Sequence, residues 1–357
     1  MSGPTPTPTG RPGGASGRDR GGCLGRAAGV SGVDRYALRR LVGRATRRLA
    51  EAGVASPAHD ARALAEHLLG RPVLLADGAG PEFTGRYRAL VERRADREPL
   101  QHITERMWFR GLELVARPGV FIVRPETEVV AGAAIEAIRA AGRRDTAAGA
   151  WSSAAGGAGG ADSGAGGAGG AIDSAGASGV NGAGGAGAPV VVDLCTGSGT
   201  IAAAVAAEVP GSRVIAVELD DTATRLAAEN FRRLVPGRVE LVRADATAPT
   251  TLAGLDGRVD VVVANPPYVP AGAVEDVETA VHDPALALYG GGADGLEVPV
   301  AVIGRAAALL RGGGVLVMEH DADQGAALRA AALAAGFASA RTGRDLTGRD
   351  RYLRAER

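Results

Sequence analysis

Cysteine is scarce in this chain: of 357 residues only Cys23 and Cys195 are cysteines. One lies in a Pro- and Gly-rich opening and the other in a glycine-rich loop, which excludes a disulfide framework and suits a reduced cytoplasm. Net charge is lacking too. The 40 Lys and Arg balance 40 Asp and Glu, so no general field draws in a polyanion and nucleic acid is a disfavoured partner. No apolar run reaches the roughly eighteen residues that a membrane span needs. The opening has no continuous apolar core of a secretory signal, so a cytoplasmic protein is expected; a monomer is expected as well. His320 and Asp321 follow a strand-like run, yet no second histidine or cysteine stands at ligand spacing, so no metal site is expected.

What the chain has in excess is glycine, 55 residues, much of it in two low-complexity stretches. Residues 1–32, "MSGPTPTPTGRPGGASGRDRGG" and onward, carry almost nothing large and apolar and read as a disordered tail. Residues 143–188, with "AGGAGGADSGAGGAGGAIDSAGASG" at their centre, read as a flexible linker. Between them, residues 33–98 place apolar side chains at helical spacing, with Ser56 as a cap and Pro57 in the first turn of "SPAHDARALAEHLLG". The arginines of "LRRLVGRATRRL" read as a solvated helix face. Residues 99–142 contain an alternating, hairpin-like "RMWFRGLELVARPG" and a helix from Glu126 to Ala141.

Residues 189–357 alternate strand-like runs ("PVVVDL", "RVIAVEL", "RVELVRAD", "VDVVVANPP", "GVLVMEH") with helical ones. This pattern implies an α/β fold, a parallel sheet wrapped on both faces. Ligands of such sheets bind beyond the strands' carboxyl ends. The ends to watch are Asp193 to Gly199, Glu218, Asp245 and Asn265.

Two of those ends carry motifs. "DLCTGSGTIA" puts Gly197 and Gly199 between a strand and a helix, where backbone can approach a ligand closely, and Glu218 follows at the distance of a ribose-binding acid. NAD and S-adenosylmethionine both satisfy that pattern. The second motif, "NPPY", separates them on chemical grounds. An amide or exocyclic amine nitrogen is a poor nucleophile because its lone pair is delocalised. Two acceptors, the Asn265 side-chain oxygen and the Pro266 carbonyl, could hold its N–H bonds and turn the lone-pair face toward a methyl donor. Pro267 stiffens the loop and Tyr268 can stack on the flat group. Hydride transfer has no use for this arrangement. Cys195 reads as a small residue filling the loop, since no histidine stands near it in sequence.

"DLCTGSG", "NPPYVP" and "DPALALYGGGADGLE" together resemble the release factor glutamine methyltransferases of the HemK type. So do "REPLQHITERMWFRGLELVARPGVFIVRPETE" and "EHDADQGAALRAAALAAGF". The resemblance implies a class I, Rossmann-like methyltransferase with a seven-stranded sheet, a small N-terminal helical substrate-recognition domain and a β-hairpin connection. It implies S-adenosylmethionine as cofactor and, as partner, a peptide chain release factor whose Gly-Gly-Gln glutamine is methylated on the side-chain amide. Thr196, Gly197, Ser198, Gly199 and Thr200 would border the methionine part of the cofactor. Glu218 would take the ribose hydroxyls, Asp245 and Ala246 would lie near the adenine, and Asn265, Pro266, Pro267, Tyr268 and Val269 would hold the target glutamine. Arg124, Pro125 and Glu126 match a segment lying over the cofactor; Arg124 and Glu126 alone also read as a helix-start ion pair. The chain departs from the family at "HITE", His102 to Glu105, where Tyr-Ile-x-Gly is usual, and at Ala246, where a bulkier residue is common. Two other methyl transfers share the motif, one to a base in nucleic acid and one to a glutamine of a ribosomal protein. An NAD-dependent oxidoreductase shares only the glycine loop.

Overall fold

In the computed structural model, which describes residues 32–155, 187–273 and 277–357, the N-terminal segment folds as three helices around one apolar cluster. A short strand β1 (Val33–Asp34) leads into α1 (Arg35–Glu51), followed by α2 (Pro57–Leu69), a strand β2 (Gly78–Ala79) antiparallel to β1, and α3 (Phe83–Ala95). Asp34 caps α1 by accepting from Ala37 N at 2.7 Å, which satisfies one of the amides a helix start leaves open. Ser56 stands at the cap position of α2, but its side chain makes no capping bond. Leu38, Leu41, Ala45 and Leu49 recur at helical spacing on α1 and meet Leu64, Tyr87 and Val91 in the cluster. The opposite face of α1 is wet: Arg39, Arg40, Arg44 and Arg47 are exposed.

A one-turn helix α4 (Leu100–Thr104) follows, then the hairpin β3 (Arg106–Phe109) and β4 (Leu112–Val115). Helix α5 (Thr127–Ala155) comes next. It overruns the expected end at Ala141 and the expected linker start at 143. Residues 143–155 are rich in alanine, the strongest helix former, and contain no proline to stop the turn. The rest of the expected linker, 156–186, and the expected tail, 1–31, lie outside the described residues.

The remaining chain builds the sheet. Its elements are β5 (Val190–Leu194), α6 (Thr200–Glu208), β6 (Arg213–Glu218), α7 (Asp221–Leu234), β7 (Val239–Arg243), β8 (Val259–Ala264), α8 (Val277–His282), α9 (Ala285–Leu288), α10 (Glu297–Leu309), β9 (Leu310–Glu319), α11 (Gly325–Ala334), β10 (Ser339–Arg344) and β11 (Asp350–Glu356). Seven strands lie in the order β10-β11-β9-β8-β5-β6-β7. The sheet is mixed: β11 runs antiparallel to both β9 and β10. A wholly parallel sheet needs a crossover helix before each strand, and only a short turn separates β10 from β11, so that pair closes as a hairpin.

Side chains alternate across the strands. Val191, Val214, Ala216, Val261, Val263, Val315 and Val317 face one layer, with α5 and α6. Val192, Leu194, Ile215, Val217, Val262, Ala264, Leu316 and Met318 face the other, with α10 and α11. Burial on both faces explains why the strands read as continuous apolar runs. Among the described residues, no helix is long and apolar enough to cross a membrane.

A buried arginine ties the N-terminal helices to the sheet domain. Arg94, on α3, gives Nε to Asp60 Oδ2 at 2.8 Å and Nη2 to Glu278 Oε1 at 2.9 Å, and Arg97 Nε also donates to Glu278 Oε1 at 2.9 Å. A guanidinium so enclosed keeps its charge, because the Asp60 and Glu278 carboxylates more than offset the cost of burying it. Asp60 belongs to α2 and Glu278 to α8, the helix just after the Asn-Pro-Pro-Tyr loop.

Candidate active site

The chain runs outward from β5 to β6 and β7, then returns to lay β8 on the other side of β5. The connections after β5 and β8 therefore diverge to opposite faces and leave a crevice at the strands' carboxyl ends. Register fixes what meets there. Leu194 pairs with Val217 and with Ala264, Glu218 with Arg243, and Ala264 with Met318. Cys195, Glu218, Asn265 and Glu319 therefore stand at neighbouring strand ends.

The glycine-rich loop after β5 is held from below by a buried acid. Asp193 is fully buried, and its Oδ2 accepts from Thr196 Oγ1 at 2.6 Å and from Ala202 N at 3.0 Å. Burial raises its carboxyl to about 7. Gly199 takes φ +84°, and a Cβ there would lie 2.6 and 2.7 Å from two ring carbons of Phe231. Phe231 is itself 5% exposed and backed by the core, so it has little room to retreat. Gly199→Ala is therefore expected to cost about 2–4 kcal/mol from the positive φ and the overpacking together. Urea unfolding checks this, through a lowered midpoint at unchanged slope; a midpoint equal to the parent's contradicts it.

Of the five loop residues, Gly197 alone lines the cavity, beside Cys195. Thr196, Ser198 and Thr200 are buried and turned inward, with Ser198 Oγ 2.7 Å from Thr200 Oγ1. Asn230 Nδ2 on α7 donates to Ser198 O at 2.9 Å and so fixes the loop's far side. Glu218 closes the near side: its Oε2 accepts from Gly197 N at 2.7 Å, and its Oε1 accepts from Leu219 N and Asp220 N, each at 2.9 Å. A carboxylate offers about four lone-pair sites, so acceptor capacity remains for a ligand hydroxyl. Cys195 keeps its proton, since burial and the Glu218, Asp193 and Asp245 carboxylates all push its thiol up. A neutral, half-buried thiol is a filler and not a nucleophile.

The Asn265–Tyr268 segment is braced by a second loop. Val269 N donates to Leu288 O at 2.8 Å, Gly290 N to Val269 O at 3.1 Å, and Gln324 Nε2 to Tyr268 O at 2.8 Å and to Asp294 O at 2.9 Å. A Cβ on Gly290 would lie 2.8 Å from Pro267 O, and one on Gly295 would lie 2.2 Å from Tyr268 O. Glycine at these positions lets the two backbones touch. That accounts for "YGGGADGLE" as a brace for the first loop. Asn265 Nδ2 donates to Thr127 Oγ1 at 3.4 Å, and Tyr268 Oη donates to Glu319 Oε1 at 3.3 Å.

Arg124 reaches over the cavity. Its guanidinium stands 5.0 Å from the Phe121 ring centre, and its Nη2 donates to Asp283 Oδ2 at 2.7 Å and Thr279 Oγ1 at 2.8 Å. The ion pair at this segment is thus with Asp283, not with Glu126. Pro125 and Glu126 do not line the cavity. The two unusual residues before β3 are accommodated at a visible cost. Glu105 adopts φ +56° where glycine would be unstrained. His102 is buried, edge-on to His282 at 6.3 Å between centres, and burial lowers its pKa. His320 is buried with Nδ1 2.6 Å from Asp321 O, and burial likewise lowers its pKa.

Gly197, Glu218, Asp245, Ala246, Asn265, Pro266, Pro267, Tyr268 and Val269 all line one cavity of about 480 Å³. The sequence reading also missed parts of it: Phe121, Asp220, Thr247 and Tyr289 are in its wall. Its volume lies in the ordinary range for small-molecule sites, roughly 300–1,000 Å³. Acceptors at Glu218 and Asp245 stand beside apolar Val217, Leu219 and Ala246, a set that fits a ribose and a flat base. The polar Asn-Pro-Pro-Tyr loop forms the other end.

Known proteins resemble this chain over most of its length. Residues 40–104 match the model of the PrmC N-terminal domain, and residues 186–293 match the methyltransferase small domain. A release factor glutamine methyltransferase of Bifidobacterium longum is 41% identical over 88% of this chain and 97% of its own length. One from Streptomyces coelicolor is 42% identical over 80% of this chain and 85% of its own. One from Deinococcus radiodurans is 35% identical over 90% and 98% respectively.

Proposed function

The chain belongs to the release factor glutamine methyltransferase family, and from that premise we propose which of its residues perform the reaction and on what. It is an S-adenosylmethionine-dependent protein methyltransferase that acts on a release factor glutamine. The glutamine is that of the Gly-Gly-Gln tripeptide, and the atom methylated is the side-chain amide nitrogen.

Glu218 and Asp245 would hold the cofactor's ribose and base, with Ala246 and Val217 against the ring and Gly197 giving backbone access. S-adenosylmethionine supplies, when bound, an electrophilic methyl group on a sulfonium. The protein's own contribution is orientation. Asn265 Oδ1 and the Pro266 carbonyl would accept the two N–H bonds of the glutamine amide and turn the face of its nitrogen toward the methyl donor. Pro267 and the Gly290–Gly295 brace keep the acceptors in place, and Tyr268 covers the flat amide. The single observation that carries this assignment is that Asn265 and Pro266 share one cavity with Glu218 and Asp245.

The balance of charge supports a protein acceptor over a polyanion. Labelled methyl counts from S-adenosylmethionine into a release factor, into transfer RNA and into duplex DNA test the choice of acceptor. Incorporation into the release factor alone is expected. Incorporation into either nucleic acid at a comparable rate would overturn it.

A further inference from the structure

Glu319 closes β9 at the level of Asn265, and only 1% of its surface is exposed. Its Oε1 accepts from Tyr268 Oη at 3.3 Å, whereas its Oε2, equally shut from solvent, carries no hydrogen bond of ordinary geometry. The neighbouring donor is Thr127, whose hydroxyl favours the charged form of the acid. Thr127 is 0% exposed, and the same oxygen takes the Asn265 Nδ2 proton at 3.4 Å. Tyr268, from the loop after β8, and Thr127, at the start of α5, thus adjoin a buried acid that the reaction as derived above does not use, and Thr127 links it to Asn265.

We propose that Glu319 sets the direction of hydrogen bonding at the acceptor end of the site, so that the Asn265 oxygen, and not its NH2, faces the incoming amide. This inference rests on the role given to Asn265 above. A carboxylate only accepts, so the single hydroxyl hydrogen of Thr127 turns toward Glu319. The Thr127 lone pairs then face Asn265 and can receive only its NH2. The Asn265 amide is thereby fixed in one of its two orientations, with Oδ1 left for substrate. The same carboxylate holds the Tyr268 hydroxyl, and so the ring. Glu319 is a positioning residue acting through Thr127, Asn265 and Tyr268.

Protonation undoes this logic, because a carboxylic acid carries a hydrogen of its own and can donate to Thr127. Burial raises Glu319 to about 7, partly offset by Thr127, Arg351 and Tyr268, while Glu126 adds to the rise. Arg351 comes from β11, Tyr268 from the loop after β8, and Glu126 from the residue just before α5. The rate at saturating substrates should therefore increase with pH through about 7. Asp193 titrates in the same region, so the two limbs must be separated by mutation.

The test is Glu319→Gln, which keeps size and shape but offers Thr127 an NH2. The expected result is a kcat lower by on the order of tens-fold, a Kd for S-adenosylhomocysteine equal to the parent's, and loss of the part of the pH limb due to Glu319. A limb that persists unchanged, together with parent-like kcat, overturns the proposal. Should the variant not fold, Thr127→Val and Thr127→Ser decide: the first removes the hydroxyl and should cost a similar factor, and the second should recover it. Full rate in Thr127→Val overturns the proposal equally. Failure of the parent itself to methylate a release factor would instead overturn the function on which this rests.

Discussion

Asn265→Ala is expected to lower kcat by about 10²–10³, equivalent to roughly 2.7–4 kcal/mol in the transition state, the usual loss for one preorganised hydrogen-bonding group. Cofactor affinity should be nearly unchanged. The argument is positional. Asn265 is half-buried at the end of β8, and among the described residues its side chain makes one hydrogen bond, to Thr127. Truncation therefore leaves the sheet, the glycine loop and Glu218 as they are. It removes one of two acceptors that keep a delocalised nitrogen in a reactive attitude, and Pro266 alone leaves the amide free to rotate. Methyl transfer at saturating substrates, with calorimetric titration of S-adenosylhomocysteine, checks the prediction. A variant that loses cofactor binding but turns over normally at saturation would show that the role has been given to the wrong residue.

Glu218→Ala should do the reverse, weakening the cofactor by about 10–100-fold, since hydrogen bonds to a charged group contribute roughly 1.5–3 kcal/mol. Two effects combine in that number. The ribose hydroxyls lose a charge-assisted acceptor, and the amides of Gly197, Leu219 and Asp220 lose theirs, which slackens the loop. An analogue lacking the ribose hydroxyls separates them. It should bind the parent more weakly than the complete cofactor does, yet bind Glu218→Ala about as well as the complete cofactor does. If removal of the hydroxyls costs both proteins equally, Glu218 only shapes the loop.

Much of this site was legible because its signals are local. An apolar strand ending in Asn-Pro-Pro-Tyr and a strand ending in a glycine-rich turn both announce chemistry at a carboxyl end, and Gly197, Glu218, Asp245 and Asn265 all meet there. Thr196, Ser198 and Thr200 were harder to read. The same loop that exposes Gly197 turns their side chains into the protein, where Asp193 and one another satisfy them, and no sequence spacing reveals that.

Contacts distant in sequence were the least legible. Thr127 opens α5 and reaches Asn265 across the whole low-complexity stretch, while Gly290 and Gly295 brace a loop some twenty residues earlier. Glu319 had a signal that went unused, since "GVLVMEH" ends in an acid at a strand's carboxyl end, the rule that singled out Glu218. The antiparallel β11 was hidden because hairpin strands at a sheet edge carry arginines and look like surface. The length of α5 was hidden by glycines scattered among its alanines.

The central claim is that the two acceptors of the Asn-Pro-Pro-Tyr loop present one amide nitrogen for methylation. Fragmentation mass spectrometry of a release factor, after incubation with this protein and isotopically labelled S-adenosylmethionine, tests it most directly. A single labelled methyl group on the side-chain nitrogen of the Gly-Gly-Gln glutamine is the predicted result, formed about 10²–10³ more slowly in the Asn265→Ala reaction. Label on any other residue, or label on that glutamine undiminished by the substitution, would contradict it.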